Sequence, residues 1–378
     1  MTFDGNAHDD RFGYTTATAI SGDGQTAVFG AYQGNGIDGV ELGGYFKVFV
    51  DEGTSSSDWT FLQQIDGSAK NDQDGYAVSL SHDGKVIASL SRKGVLKMFD
   101  KDESTNTYSQ VGNSITNGGS GVAYDVSVSS DGSSVAFTVG RKVSVYFRSG
   151  DNWIARGNGH TTSYLAKAVS LNNDGTIVAF GRRYCSSCSG TAVKVLKWDG
   201  TSWNDYGRDL GSGGDFVEVG RLSLSGDGSA MAVGKTSGNS DGSVRVYRWE
   251  DDWVNKFSTS GSNYFVYPAL SFDGEVLVCG THGLGYLKVF NWDSDASTYV
   301  EVASTAGTSY YIGYALSLSS DGLIMSTGDS GFDSGSGRGF IYKLSSSTGN
   351  DNKLDYTHAP PPSGNGNGGM YLFIIKII

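Results

Sequence analysis

Six basic side chains occur as adjacent pairs, Arg92-Lys93, Arg141-Lys142 and Arg182-Arg183, each directly after an apolar run. His282 holds the same place after a later run. Guanidinium and ammonium groups gathered from separate segments are the groups that hold carboxylates, sulfates or phosphates. Acids stand at the equivalent places elsewhere: Asp38 and Glu41, Asp241, and Asp329 and Asp333. The plainer alternative is that these cations are solvated turn residues balancing nearby acids, as most surface charges do.

Other reactive side chains are sparser. Cys185 and Cys188 form a lone Cys-Ser-Ser-Cys. Zinc would need a second ligand pair, and a thioredoxin-like role would need a βαβ setting. A local disulfide or two free thiols are therefore expected at Cys185 and Cys188. Cys279, flanked by Val278 and Gly280, reads as a buried small residue. The five histidines (His8, His82, His160, His282 and His358) show no pair at metal-ligand spacing. Asp72 and Asp74 form a linker pair that would contribute to a cation site only with further ligands. No nucleophile elbow, phosphate-cradling loop or catalytic dyad stands out. Catalytic carboxylates brought together from distant segments are the one enzymatic arrangement the sequence leaves open.

A repeat positions all of these residues. An alternating run, Ser/Asn-x-Asp-Gly and a second apolar run recur seven times, with Asp-Gly at Asp23, Asp83, Asp131, Asp174, Asp227, Asp273 and Asp321. The spacings of 60, 48, 43, 53, 46 and 48 residues match roughly 40–50 residues per propeller blade. The fold expected is all-β: a seven-bladed β-propeller of four-stranded antiparallel blades over residues 1–357. Asp-Gly is expected to make a two-residue hairpin between the first and second strands. An aromatic opens the outer strand at Trp59, Tyr108, Trp153, Trp203, Trp253 and Tyr299. The seventh unit offers only Leu354–Tyr356, so ring closure falls to that segment, to Thr2-Phe3 or to the apolar tail. Ser79, Ser127, Ser170, Ser223, Ser271 and Ser317, with Ala19, read as one small-residue position on the innermost strands. That recurrence marks packing rather than catalysis.

Phe12-Gly13-Tyr14, Ile20-Ser21-Gly22-Asp23-Gly24 and Val28-Phe29-Gly30-Ala31-Tyr32 resemble the FG-GAP repeat of integrin-α-type propellers, as does the linker Asp66-Gly67 to Asp72-Gln73-Asp74-Gly75-Tyr76. The resemblance covers about residues 11–345. It implies an adhesion or binding propeller and favours an extracellular or cell-surface location. The calcium cage of that family, Asp-x-Asp-x-Asp-Gly, keeps only its last Asp-Gly here. One carboxylate is too few for a cation wanting six to eight oxygens, so neither calcium nor another cofactor is expected. The repeat also resembles the WD-repeat pattern in Leu80-Ser81-His82-Asp83-Gly84-Lys85 and Val95-Leu96-Lys97-Met98-Phe99-Asp100, without its Gly-His.

Blade geometry sorts the loops. Asp-Gly turns and third-to-fourth strand loops share one face, while second-to-third strand loops and blade linkers share the other. The second face carries the long insertions at 31–43, 182–191, 235–242 and 329–338, and loops on a rigid scaffold are where binding concentrates. On it, the six cations and His282 would form an arc facing acids across the ring. The leading expectation is a binding or adhesion module taking a protein or anionic glycan. A structural subunit of a larger assembly and a polysaccharide hydrolase or lyase are the alternatives.

Composition sets the outer bounds. The chain has 378 residues, 56 of them glycine, and a net charge of −12. An acidic protein repels nucleic-acid phosphates unless a basic stripe overcomes the field, so nucleic acid is not an expected partner. No apolar stretch reaches the roughly 20 residues of a membrane span. Residues 1–20 lack the apolar core of a signal peptide. The first repeat opens almost at Met1, as expected of a fragment without its targeting signal. After Pro360-Pro361-Pro362, residues 358–378 read as a linker and a short apolar tail. That tail is expected to form an added edge strand, an assembly contact or the remnant of an anchor.

Overall fold

The computed structural model describes residues 2–346, apart from 15, 37–38, 54–58, 184–190, 212–217, 237–241, 260–264, 282–285, 306–312 and 314, together with 373–377. The chain is a seven-bladed β-propeller of four-stranded antiparallel blades. Blade two illustrates the unit: Ala77–Leu80 lies innermost, followed outwards by Val86–Leu90, Val95–Asp102 and Thr107–Gln110. The innermost strands pack on one another in chain order around a central axis. The apolar cores lie between blades. Val28, Phe46 and Val48 of blade one, for example, pack with Val78, Ile87 and Phe99 of blade two.

The recurring Ser-x-Asp-Gly is explained by its hydrogen bonds. In blade two, Ser81 Oγ donates to Asp83 Oδ1 (2.7 Å) and accepts the Val86 N–H (3.0 Å), while Asp83 Oδ1 also accepts the Lys85 N–H (3.0 Å). The same set recurs at Ser21, Ser129, Ser225, Ser271 and Ser319, and Asn172 replaces the serine in blade four. Only the glycine has positive φ, between 66° and 72° at all seven turns. The connection is thus longer than the expected two-residue hairpin, and the aspartate is used to fasten it.

The residue before each aspartate then links blades. His82 N–H donates to Ser130 O (2.8 Å), Asp131 to Asn173 (3.2 Å), Asn173 to Gly226 (2.7 Å), Gly226 to Phe272 (2.6 Å), Phe272 to Ser320 (3.0 Å) and Ser320 to Gly22 (2.8 Å). Asp23 to His82 (2.9 Å) completes an unbroken backbone circle.

Two residues upstream of the turn serine, a second small-residue position makes a further belt. Ser79 Oγ accepts Val128 N–H, Ser127 accepts Leu171, Ser170 accepts Leu224, Ser223 accepts Leu270 and Ser317 accepts Ile20, at 3.0–3.1 Å. Ser271 does not belong to this belt, contrary to the sequence reading. Its turn places it with Ser81, and Ala269 is the blade-six counterpart.

On the opposite face some blades approach through glycine. A Cβ on Gly30 would stand 2.1 Å from Gly75 O, one on Gly328 2.1 Å from Gly13 O, and one on Gly280 2.2 Å from Gly313 O. The Phe-Gly pairs at 12–13 and 29–30 therefore belong to places where backbone touches backbone.

Blade seven consists of Leu316–Leu318, Ile324–Asp329 and Arg338–Ser346, with Thr2–Asp4 antiparallel on its outer edge. Arg338 clamps Asp4 through two hydrogen bonds, the second 2.9 Å long. Phe373–Ile377 pairs in parallel with the further part of Arg338–Ser346. Two of the three expected closing segments thus flank one strand, and Leu354–Tyr356 lies outside the described residues. Among the described residues no helix is long and apolar enough to cross a membrane.

Candidate binding face

The turn-side mouth of the axis is filled by the scaffold itself. His82 Nδ1 meets Ser320 Oγ at 2.8 Å, and the His82 and Phe272 rings lie 6.3 Å apart. Gly22 and Gly226 make room for them: a Cβ at either would sit within 2.3 Å of the His82 or Phe272 ring. A recess of about 360 Å³ remains, lined by His82, Asp83, Ser130, Asp131, Asn173 and Phe272. Its aspartates are already committed to their turns.

The linker-side face differs. Arg92 and Lys93 occupy the exposed turn after Val86–Leu90, and Arg141 the turn after Ser134–Val139. Arg183 is exposed just beyond Ile177–Arg182, where it donates to Tyr124 Oη (3.1 Å) and lies 5.5 Å from that ring. Lys142 is half-buried at the start of Lys142–Ser149. Blades two, three and four are neighbours, so these five cations share one sector.

Arg182 departs from the arc. Alternation turns it inward, where it is 4% exposed with its guanidinium 5.7 Å from the Tyr164 ring. His282, Cys185 and Cys188 lie outside the described residues, as do Asp38 and Asp241. The acid arc also needs correction. Glu41 is paired with Lys70 at 2.5 Å, and Asp329 is fully buried, accepting the Gly331 N–H at 3.1 Å. Asp74 pairs with Lys97 of the strand Val95–Asp102 at 2.6 Å, and Asp72 accepts the Ala69 N–H of its own loop at 3.0 Å, so both already have protein partners.

Most cations elsewhere have acid partners, among them Lys97, Arg148, Lys167, Lys194, Arg221, Lys288 and Arg338. Among the described residues, no acid pairs with Arg92, Lys93, Arg141, Lys142 or Arg183.

The sequence reading missed what lies beside them. Tyr14, Tyr32 and Tyr76 cluster with ring centroids 5.1–6.4 Å apart. Burial raises the pKa of the Tyr32 and Tyr76 hydroxyls, against a smaller pull downwards from Arg92. Both stay protonated and able to donate. The signal available was the Gly-Tyr dipeptide at 13–14 and again at 75–76.

Along the innermost strands the charges are paired. Asp125, fully buried, accepts from Val126 N–H (3.1 Å), Val169 N–H (3.0 Å) and Arg221 (3.3 Å). Burial pushes its carboxyl up while Arg221 and the two amides hold it down. Lys167 bonds Glu218 alongside. This network joins blades three, four and five, since Val169 of blade four and Arg221 of blade five both donate to Asp125 of blade three.

No protein-family model and no curated protein matches the sequence. Solved structures do match. The Cps50 (Swd1) β-propeller domain of Myceliophteria thermophila is similar at 12% identity and a TM-score of 0.61, covering 87% of this chain and 96% of that one. Two Bacteroides proteins assigned only provisionally as 6-phosphogluconolactonases are also similar. The B. uniformis structure has 10% identity and a TM-score of 0.58 over 76% of this chain and 83% of its own. The B. fragilis structure has 11% identity and a TM-score of 0.57 over 76% and 82%. At these identities the likeness establishes the propeller and does not single out the FG-GAP family within it.

Proposed function

We propose that this propeller is a non-enzymatic binding subunit that docks an acidic segment of a partner protein on its linker-side face. Arg92, Lys93, Arg141, Lys142 and Arg183 supply the charge, with Tyr14, Tyr32, Tyr76 and Tyr124 beside them. The observation that carries this reading is that, among the described residues, no acid pairs with any of the five cations, in a protein whose net charge is −12. A surface cation needs no acid partner, but five on three neighbouring blades leave a local positive field in an acidic molecule. Such a field steers an oppositely charged partner and fixes its orientation. Arginine and tyrosine are also the residues enriched where proteins meet.

The adhesion role implied by the FG-GAP resemblance would bring an anionic glycan to the same cations. Both ligands can be compared by fluorescence anisotropy, using a labelled polyglutamate peptide and a labelled sulfated oligosaccharide. Charge reversal of Lys93, Arg141 and Arg183 together is expected to weaken the peptide by about tenfold or more, since one decade corresponds to about 1.4 kcal/mol. Unchanged peptide affinity in that variant would falsify the docking reading. Binding of the oligosaccharide alone would replace the protein partner with the glycan.

A further inference from the structure

One position in each blade is left over by the turn-side scaffold. It is the residue before the turn aspartate: Gly22, His82, Ser130, Asn173, Gly226, Phe272 and Ser320 in chain order. The backbone there is spent on the circle between blades, and the turn is fastened by the serine or asparagine before it and the aspartate after it. The Asp-Gly that follows is the same in all seven blades, whereas this position changes among glycine, histidine, serine, asparagine and phenylalanine. Neither the fold nor the turn prescribes its side chain.

These side chains make the turn-side mouth concave. Phe272 is 37% exposed, a large ring turned to water. It rests against Gly226, and His82 rests against Gly22, so each ring is seated on a blade that supplies no side chain of its own. The two rings stand edge to face, 6.3 Å apart at 65°, and with Ser130 and Asn173 they bound the recess of about 360 Å³. That volume lies within the roughly 300–1,000 Å³ of small-ligand sites.

The lining specifies a ligand by sign, shape and polarity. Among the described residues, neither the Ser130 hydroxyl nor the Asn173 side-chain amide has a hydrogen-bond partner. His82 meets Ser320 Oγ through Nδ1, which leaves Nε2 facing no described partner. Asp83 and Asp131 are committed to their turns and contribute charge rather than hydrogen bonds. No lysine or arginine lines the recess, so anionic ligands are repelled. An ammonium group would suit the charge but accepts nothing, and the donors of Asn173 and Ser130 would go unmet. A ligand with an apolar face for Phe272 and groups that both donate and accept for Asn173, Ser130 and His82 matches the lining best. A neutral sugar ring has that description.

We propose that the turn-side recess binds a neutral pyranose, with its C–H face on Phe272 and its hydroxyls on Asn173, Ser130 and His82 Nε2. The site lies on the face opposite the five cations and stands or falls without the protein-docking reading.

The test is a proton NMR titration of the whole chain with methyl glucoside, methyl galactoside and methyl mannoside in turn, and with cyclohexylammonium and glucuronate as the cationic and anionic comparisons. The His82 Hε1 resonance, assigned by comparison with H82Q, reports on this recess. At least one methyl glycoside is expected to move it saturably, with a Kd of about 1–10 mM. Phe272→Ala is expected to weaken that glycoside about tenfold, and Asn173→Ala, which keeps the ring, several-fold. Both side chains are exposed, and thermal unfolding checks that each variant keeps its fold. Charge reversal of Lys93, Arg141 and Arg183 is expected to leave glycoside binding unchanged, which separates this site from the docking face. Any of four results overturns the proposal: no saturable shift with any of the three glycosides up to about 50 mM, tighter binding of cyclohexylammonium or glucuronate, undiminished affinity in either alanine variant with its fold intact, or loss of glycoside binding in the charge-reversal variant.

Discussion

The two faces of the ring use their polar residues in opposite ways. On the turn side, seven aspartates and their serine or asparagine partners are consumed in fastening seven turns, and the backbone between them closes a circle. On the linker side, tyrosines gather beside cations that no described acid neutralises. A polar group whose hydrogen bonds are complete inside its own loop has little left for a ligand. The density of acidic side chains is thus a poor guide to binding here, and the way each one is employed is a better one.

Substitutions can break this contrast in graded steps. The largest loss is expected for Asp125→Ala, which removes an acceptor from Arg221, from the Val169 amide of the next blade and from the Val126 amide. About 3–5 kcal/mol in denaturant unfolding is expected for breaking such a buried pair. Gly30→Ala sets a methyl against the Gly75 carbonyl, where backbone must yield, and about 2–4 kcal/mol is expected. Gly22→Ala on the turn side meets the His82 ring and Ser320 Oγ first, side-chain atoms that can move where backbone cannot, so its loss in the same assay should be smaller. Asp131→Ala removes the acceptor of Ser129 Oγ and Ser133 N–H from one turn, at about 1–2 kcal/mol by thermal unfolding.

Charge reversal at Lys93, Arg141 and Arg183 should sharpen the comparison from the other side. Stability is expected to hold within about 0.5 kcal/mol while acidic-peptide binding is lost. The smallest effect is a pH dependence at His160. Its folded pKa lies below the ordinary 6.5, so between the two values the unfolded chain binds more protons. Stability should therefore fall on acidification through that window and recover as pH rises past about 6.5. H160Q should flatten the slope by roughly a few tenths of a kcal/mol, the side chain being half exposed.

Much of the fold was legible because one turn was written seven times, and each Asp-Gly marks where an innermost strand ends. The register inside a strand was less secure. Ser271 and Ala269 are two residues apart on the same face of an alternating strand, so choosing the visible serine shifted blade six by one step. Ring closure lay outside local pattern altogether, since Thr2–Asp4 carries no signal for a partner more than 330 residues away. At the candidate face, post-strand position placed Arg92, Lys93, Arg141 and Arg183 on exposed backbone. It could not show that Arg182, one residue before Arg183, points inward. Pairing was equally invisible: Glu41 and Lys70 are neighbours only after the loops fold.

The outer edge of blade seven also bears on how the chain is made. Thr2–Asp4 emerges from the ribosome some 334 residues ahead of Arg338, its partner. At roughly 5–20 residues per second, that interval is about 17–70 s. During it six blades can form while the first strand has nowhere to settle and the last seam stands open. An unpaired strand edge invites other chains, so the yield of folded protein should depend on how quickly blade seven follows. Of the strands that build the ring, the first to be synthesised is the last to find its place.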